Sequence, residues 1–237
     1  MTRCPTERKR EIDPKRRLNR LRLSPIRGMG QFGLRICLLG LLGCASPVNQ
    51  EEVQLHKVSS EVVSPVTVSV GEGRTVALRV TLSDTLDRPE MVVRNVGSEI
   101  QYSPWNRWAE PLKDDLGRLL RTRWAAAPGI SRVLSSERAR DWSPTLLVMV
   151  HVDRFDGERL IGGLNRAVVD AIWRIVQLGD RVGPALSSGL FVREVEPWNG
   201  EGFEDLKRLL QELAGDMADA VAESLGESIA ALDPEAR

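Results

Sequence analysis

Residues that commonly carry chemistry are scarce in this chain of 237 residues, which holds two histidines, three cysteines and one tyrosine. His56 and His151 have no second nitrogen or sulfur ligand at a useful spacing, so no metal site is predicted. Ser187-Ser188-Gly189 is not a nucleophile elbow, and two histidines leave little from which to assemble a hydrolase triad. Asp153 and Asp156 are a carboxylate pair that loop capping explains well. We therefore expect a protein that is not an enzyme and uses no cofactor.

Long apolar runs are also missing. The longest run ends at Gly43 and has about a dozen residues, where roughly 20 are needed to cross the hydrocarbon core. A basic region to Arg35 precedes this run, and Leu41-Leu42-Gly43-Cys44 ends it as a lipobox. The pattern resembles bacterial lipoprotein signals and predicts a signal peptide over residues 1–43, cleavage between Gly43 and Cys44, and acylation of Cys44 by a diacylglyceryl group and a fatty acid such as palmitate.

The leader is unusually long, and Met29 is an alternative start that would shorten it to 15 residues. Cys4 and Cys37 are removed with the leader, so the predicted mature chain has neither a disulfide nor a free thiol. Residues 44–60 are polar and lack a sustained period, which predicts a lipidated tether ahead of a domain over residues 61–237.

Charge is unevenly divided. Residues 1–43 contain 11 Lys and Arg against 3 Asp and Glu, which leaves 22 basic and 30 acidic residues in the rest of the chain. The predicted mature part is therefore near −8 and has no dense basic run. This argues against nucleic acid as a partner, because phosphate binding requires a basic surface.

Periodicity predicts an α/β domain. Alternating apolar residues indicate strands near 66–70, 76–82, 146–155, 167–175 and 191–195, with a weaker candidate at 130–134. The segment 146–155 is apolar on both faces and is therefore expected at the centre of the sheet. Spacings of three and four predict a helix from about residue 108 to Trp124 and another over 203–232. The expected fold is a two-layer sandwich: a mixed, largely antiparallel sheet of about six to seven strands, with two long helices on one face.

The stretch from Leu86 to Leu112 joins these elements. It reads as a turn, a strand over residues 91–94, a reversal at 95–98 and a returning strand over 99–102 that Ser103-Pro104 should end. Pro111 is tolerated in a first helical turn, so the following helix is expected to start between residues 106 and 110.

Two blocks in this stretch, LDRPEMVVR over residues 86–94 and RWAEPL over 107–112, resemble the auxiliary lipoproteins of ABC-type intermembrane transport. The resemblance is to the paraquat-inducible C type, which works with mammalian-cell-entry (MCE) lipid-trafficking proteins; a weaker match is VDRFDG over 152–157. It implies a partner-binding or structural role for the motif residues, which are Asp87, Arg88, Pro89, Arg94, Trp105, Trp108 and Pro111.

The resemblance further implies a lipoprotein at the periplasmic face of the outer membrane that docks an MCE-domain protein of the transport complex and forms a homo-oligomer. Ala45 follows the lipidated cysteine in place of the aspartate that commonly retains lipoproteins in the inner membrane. Alternatives are a structural or assembly module of another envelope complex, such as a secretin or cell-wall accessory, and a lipid-anchored hydrolase.

Six tryptophans against one tyrosine is an unusual ratio. Trp108, Trp124 and Trp173 lie at periodic positions that predict a place in the core. Trp105 and Trp198 lie at predicted element boundaries and are the interface candidates. For Arg88 and Arg94 the sequence leaves open pairing within the domain or with another subunit.

Overall fold

The computed structural model describes residues 52–58, 73–97, 99–179 and 182–232. The predicted signal peptide, Gly43 and Cys44 lie outside the described residues. The predicted strand at 66–70 also lies outside them.

The described residues form eight strands and two α-helices. The strands are β1 (Gln54–His56), β2 (Arg74–Leu82), β3 (Glu90–Arg94), β4 (Ile100–Trp108), β5 (Ile130–Ser135), β6 (Leu146–Glu158), β7 (Asn165–Leu178) and β8 (Val182–Trp198). The helices are α1 (Leu112–Trp124) and α2 (Phe203–Leu232), and a short 3-10 helix spans Ala139–Trp142.

One mixed sheet contains all eight strands. Strand β6 lies at its centre and pairs in parallel with β2 and β3 along one edge and antiparallel with β7 along the other. Pairings β1–β4 and β2–β5 are also parallel, whereas β3–β4 and β7–β8 are antiparallel. The predicted mixed sheet and two helices are confirmed. The sheet differs from the prediction in having eight described strands instead of six to seven, and four of its seven strand pairings are parallel. Periodicity reports which face is buried, and it does not report strand direction, which depends on long connections such as the one containing α1.

The core lies between one face of the sheet and the two helices. Alternate residues of β6 and β7 are buried there, including Val148, Val150 and Ala171. The stripe of α1 that faces them consists of Leu112, Leu116, Leu120 and Trp124. Helix α1 contacts α2, and the Trp124 indole nitrogen donates to the Ala218 carbonyl at 2.9 Å. Helix α2 has the predicted bounds, because its apolar spacings of three and four persist over 30 residues.

Two strands extend beyond their predicted ends. Strand β6 continues through Asp156 and Gly157, where a loop was expected, because Gly157 has no side chain to clash with the buried indole of Trp198. Strand β8 extends past both ends of the expected segment 191–195. It includes Glu196-Pro197, where an end was expected, and stops at Trp198. Its pairing with the 14-residue β7 supports this length.

The expected stop at Ser103-Pro104 is also wrong, because β4 continues to Trp108. The β3–β4 register jumps from Val92–Tyr102 to Glu90–Arg107, so the residues from Ser103 to Asn106 have no partner on β3 and form a bulge in the β3–β4 ladder. A proline is tolerated there because no ladder hydrogen bond is needed from its nitrogen. Helix α1 consequently begins later than predicted, at Leu112, with Pro111 as its N-cap residue.

Part of the predicted tether belongs to the domain. Strand β1 adds to the edge of β4, and His56 and Val58 are 1% and 2% exposed. The Val58 amide donates to the buried carboxylate of Asp115 at 2.5 Å. A three-residue strand has too little periodicity to be recognised, and its burial depends on a partner 50 residues away. No helix in the described ranges is both long and apolar enough to cross a membrane.

Candidate docking site formed by the two sequence motifs

The two motif blocks converge on one surface cavity of about 340 Å³. This cavity, called the motif pocket below, lies at the base of the β3–β4 hairpin, opposite its turn. One wall is the loop before β3 and the other is the junction between β4 and α1; the lining residues are Leu86, Asp87, Arg88, Pro89, Trp108, Ala109, Glu110, Pro111 and Leu112. Segments about twenty residues apart in sequence therefore build a single site.

The floor of the motif pocket is apolar and fixed. Leu86, Trp108 and Leu112 are each at most 5% exposed, and the Trp108 ring lies 5.7 Å from that of Phe155. The Trp108 amide donates to the Pro89 carbonyl at 2.7 Å, which ties the two walls together. The floor is therefore rigid before any partner arrives.

The rim is charged and open to solvent. Asp87, Arg88 and Pro89 are exposed on one side, and Pro111 is exposed on the other. Arg118 forms a two-pronged ion pair with Glu110, in which its Nη1 donates to Oε1 at 2.7 Å. Hydrogen bonding from Arg118 lowers the pKa of Glu110 against an opposing effect of burial. The rim thus offers the Glu110 carboxylate, which Arg118 holds in position, and the exposed side chain of Arg88.

The two motif arginines have different surroundings. The Arg88 guanidinium lies over the Tyr102 ring, 4.7 Å from its centroid, and remains accessible at the rim. Arg94 is directed away from the pocket, and its Nε donates at 2.8 Å to Asp156, which is 0% exposed. Arg154 pairs with the same carboxylate at 2.8 Å. Arg94 is therefore part of an internal ion-pair network, and Arg88 is available to a partner.

The structure separates the tryptophans. Trp108 and Trp124 are buried as expected, and Trp173 is partly buried against the core. Trp105 is 43% exposed and lies in the bulge of β4, and its role at an interface stays a prediction. The interface prediction for Trp198 is wrong: it is 1% exposed and its indole donates to the Gly202 carbonyl at 2.8 Å.

The sheet face opposite the two helices has an apolar character that the sequence patterns did not predict. Ile172 and Leu190 are directly paired across β7 and β8, and Val192 is next along the same face of β8. Their exposed fractions are 47%, 66% and 60%. The available signal was a departure from strict alternation, because apolar residues occupy both sides of β7 and β8.

Two solved structures have a similar fold. The crystal structure of protein XCC0632 from Xanthomonas campestris has a TM-score of 0.56 and 14% identity, covering 78% of this chain and 95% of that one. A crystal structure titled only as an uncharacterized protein has a TM-score of 0.51 and 18% identity, covering 66% and 95%. At these identities the similarity establishes the fold alone.

The sequence defines the family. The family model for the ABC-type transport auxiliary lipoprotein component matches residues 60–222, well over half of the chain. This protein therefore belongs to the ABC-type transport auxiliary lipoproteins, a membership that indicates a cell-envelope location and a transporter as partner. No curated protein gives a significant match.

Proposed function

We propose that this protein is a non-enzymatic accessory of an MCE-type ABC system for intermembrane lipid transport, lipidated at Cys44 and held at the periplasmic face of the outer membrane. The observation that carries the proposal is the convergence of both motif blocks on the motif pocket. Exposed prolines, an accessible arginine and a rigid apolar floor suit the docking of a protein segment, because such a site needs little rearrangement on binding.

The docking partner in this proposal is the MCE-domain protein of the transport complex. An affinity-tagged chain should recover that protein from a detergent extract of the envelope. Arg88→Glu reverses the accessible charge at the rim and should abolish recovery. Arg208→Glu is the matched control, because Arg208 is an exposed residue of α2 that does not line the motif pocket. Recovery of a secretin or cell-wall component in place of an MCE protein would favour the assembly-module alternative.

Self-association is a second element of the proposal. The apolar surface formed by Ile172, Leu190 and Val192 lies next to β8, a strand that pairs with β7 alone among the described strands. Such a surface is typical of an interface between copies. Light scattering should show an oligomer that Leu190→Asp dissociates. A monomeric parent protein at all concentrations would remove this element.

The anchor has its own test. Replacing residues 1–44 by the signal peptide of a soluble periplasmic protein should release the folded domain into the periplasm and stop transport. A single acyl chain binds a bilayer only marginally, with a partition constant on the order of 10⁴ M⁻¹, whereas two or three chains make desorption very slow. A domain that stays firmly in the outer-membrane fraction without its lipid would contradict anchoring by Cys44.

A further inference from the structure

Three apolar side chains are displayed on turns. Val96 lies in the β3–β4 turn and is 52% exposed, and Ile161 and Leu164 lie in the β6–β7 turn and are 83% and 62% exposed. Turn residues are usually polar, and none of these three belongs to the hydrophobic core. They are called the apolar turns below.

Both apolar turns lie at the same end of the sheet. Strands β3 and β6 are parallel, and their last residues, Arg94 and Glu158, are paired. The Arg159 amide donates to the Arg94 carbonyl at 2.8 Å, which joins the start of one turn to the start of the other. The apolar turns therefore form one composite tip.

The β6–β7 turn is built to display its side chains. Gly162 and Gly163 adopt φ of 89° and 80°, a region that side chains strain, and the Gly163 amide closes the turn on the Leu160 carbonyl. The Leu160 amide donates to the Asn165 side chain at 3.2 Å. The backbone of this turn is thus ordered without help from Ile161 or Leu164, whose apolar character serves no purpose inside the domain.

The first described residues lie on the side of this end. Strand β1 runs parallel to β4 and away from the apolar turns, so Glu52 and Val53 lie on the turn side of Gln54. Glu52 and Glu201 line the same cavity. Glu201 follows the last residue of β8, Trp198, which is paired with Asn165 at the tip. Cys44 precedes Glu52 by eight residues, which span at most about 29 Å when fully extended. A lipid on Cys44, which is part of the proposed function, would keep this end of the domain close to the bilayer.

From this geometry we infer that Val96, Ile161 and Leu164 insert into the phospholipid bilayer that holds the anchor. Arg159 lies beside them, and within the described part of the chain it donates to neutral oxygens, such as the Gly200 carbonyl at 2.7 Å and the Gln101 side chain at 3.2 Å. No carboxylate of the described residues lies within ion-pair distance of it, so its charge is available to a lipid phosphate.

The contact depends on apolar insertion, because the acidic residues Glu99 and Glu201 at the same end offset the attraction of Arg159 for anionic lipid. Three side chains bury far less apolar surface than the acyl chains on Cys44. The acyl chains therefore hold the protein, and the apolar turns orient it, so that the motif pocket, at the opposite end of the β3–β4 hairpin, is held away from the bilayer.

The test uses the full lipidated protein in vesicles of phosphatidylethanolamine and phosphatidylglycerol. Ile161→Cys provides a single thiol for an environment-sensitive dye, because Cys44 is acylated. Asp141→Cys is the control at the far end of the 13-residue β6, about 40 Å away. The dye at position 161 should shift to shorter wavelength and be quenched by brominated lipid chains, and the dye at 141 should show neither effect.

Vesicle flotation, measured on the same samples, separates the two proposals. Protein that floats with an unshifted, unquenched dye at 161 overturns insertion of the turns and leaves the anchor intact. Protein that does not float overturns the anchor, and the inferred contact fails with it. In a second pair, Leu164→Glu should abolish quenching of a dye on Val96→Cys, whereas Leu55→Glu, at a similarly exposed residue of β1, should leave it unchanged. Quenching that survives Leu164→Glu would also overturn the inference.

Discussion

The backbone amide of Trp108 donates to the carbonyl of Pro89 at 2.7 Å, and this hydrogen bond links the two sequence motifs at the motif pocket, beside the ion pair between Arg107 and Glu90. It lies where β4 leaves its bulge and where β3 begins. Residues that would otherwise be separate surface features thereby become the floor and rim of one pocket.

Floor and rim should respond differently to mutation. Trp108→Ala removes a buried indole and should lower the free energy of unfolding by about 3–5 kcal/mol. Arg88→Ala removes only an exposed contact with Tyr102 and should cost about 0.5–1 kcal/mol. Urea unfolding of both variants measures the difference. Equal losses would mean that the rim is structural and that its exposed arginine is not reserved for a partner.

The packing of β6 against Trp198 can be tested with a pair of glycines. A Cβ on Gly157 would lie 2.6 Å from the Trp198 ring, which is held in place by its hydrogen bond to Gly202. Gly157→Ala should therefore cost about 1–3 kcal/mol through overpacking. On α2, a Cβ on Gly226 would meet no neighbouring heavy atom within 4 Å, and Gly226→Ala should add about 1 kcal/mol through helix propensity. Thermal melts that move in the same direction for both would contradict this packing.

Glu110 should make stability depend on pH. Its pKa in the folded protein is lowered from 4.5, first by hydrogen bonding from Arg118, so the pair stabilises the fold above pH 4.5. This stabilisation is lost as the pH falls through the lowered pKa. Glu110→Gln should flatten the decline of unfolding free energy below pH 4.5, measured by denaturant titration at several pH values. Glu223→Gln, at an exposed site on α2, should leave the decline as it is in the parent protein.

His56 should control the docking of β1. Its Nε2 lies 3.1 Å from the Asn106 side chain and its Nδ1 lies 3.2 Å from Glu204, so the ring links β1 to β4 and α2. His56→Ala should speed hydrogen exchange at Ala109, whose amide donates to the His56 carbonyl at 2.7 Å. Leu55→Ala changes an exposed neighbour and should leave exchange at Ala109 slow. Unchanged exchange in both variants would show that the ring does not fasten β1.

Sequence reasoning succeeded where local pattern decides structure. Helix α2 follows from its apolar spacing, and the central place of β6 follows from apolar residues on both faces. It failed where a distant partner decides: β1 exists only because β4 offers an edge, and Pro104 continues a strand only because the ladder bulges there. The motifs were recognised in sequence, but their meeting in one pocket depends on the β3–β4 register, which no local pattern reveals. Burial of Trp198 likewise depends on Gly157, 41 residues earlier.

The most direct measurement is photocrosslinking in living cells from the motif pocket. Ala109 is exposed between its two walls, and a photoreactive phenylalanine analogue at this position should crosslink to the MCE-domain protein of the transporter. The same analogue at Asp141, on the 3-10 helix far from the pocket, should give no such product. Crosslinks to the MCE protein from 141 and none from 109 would contradict a docking role for the motif pocket.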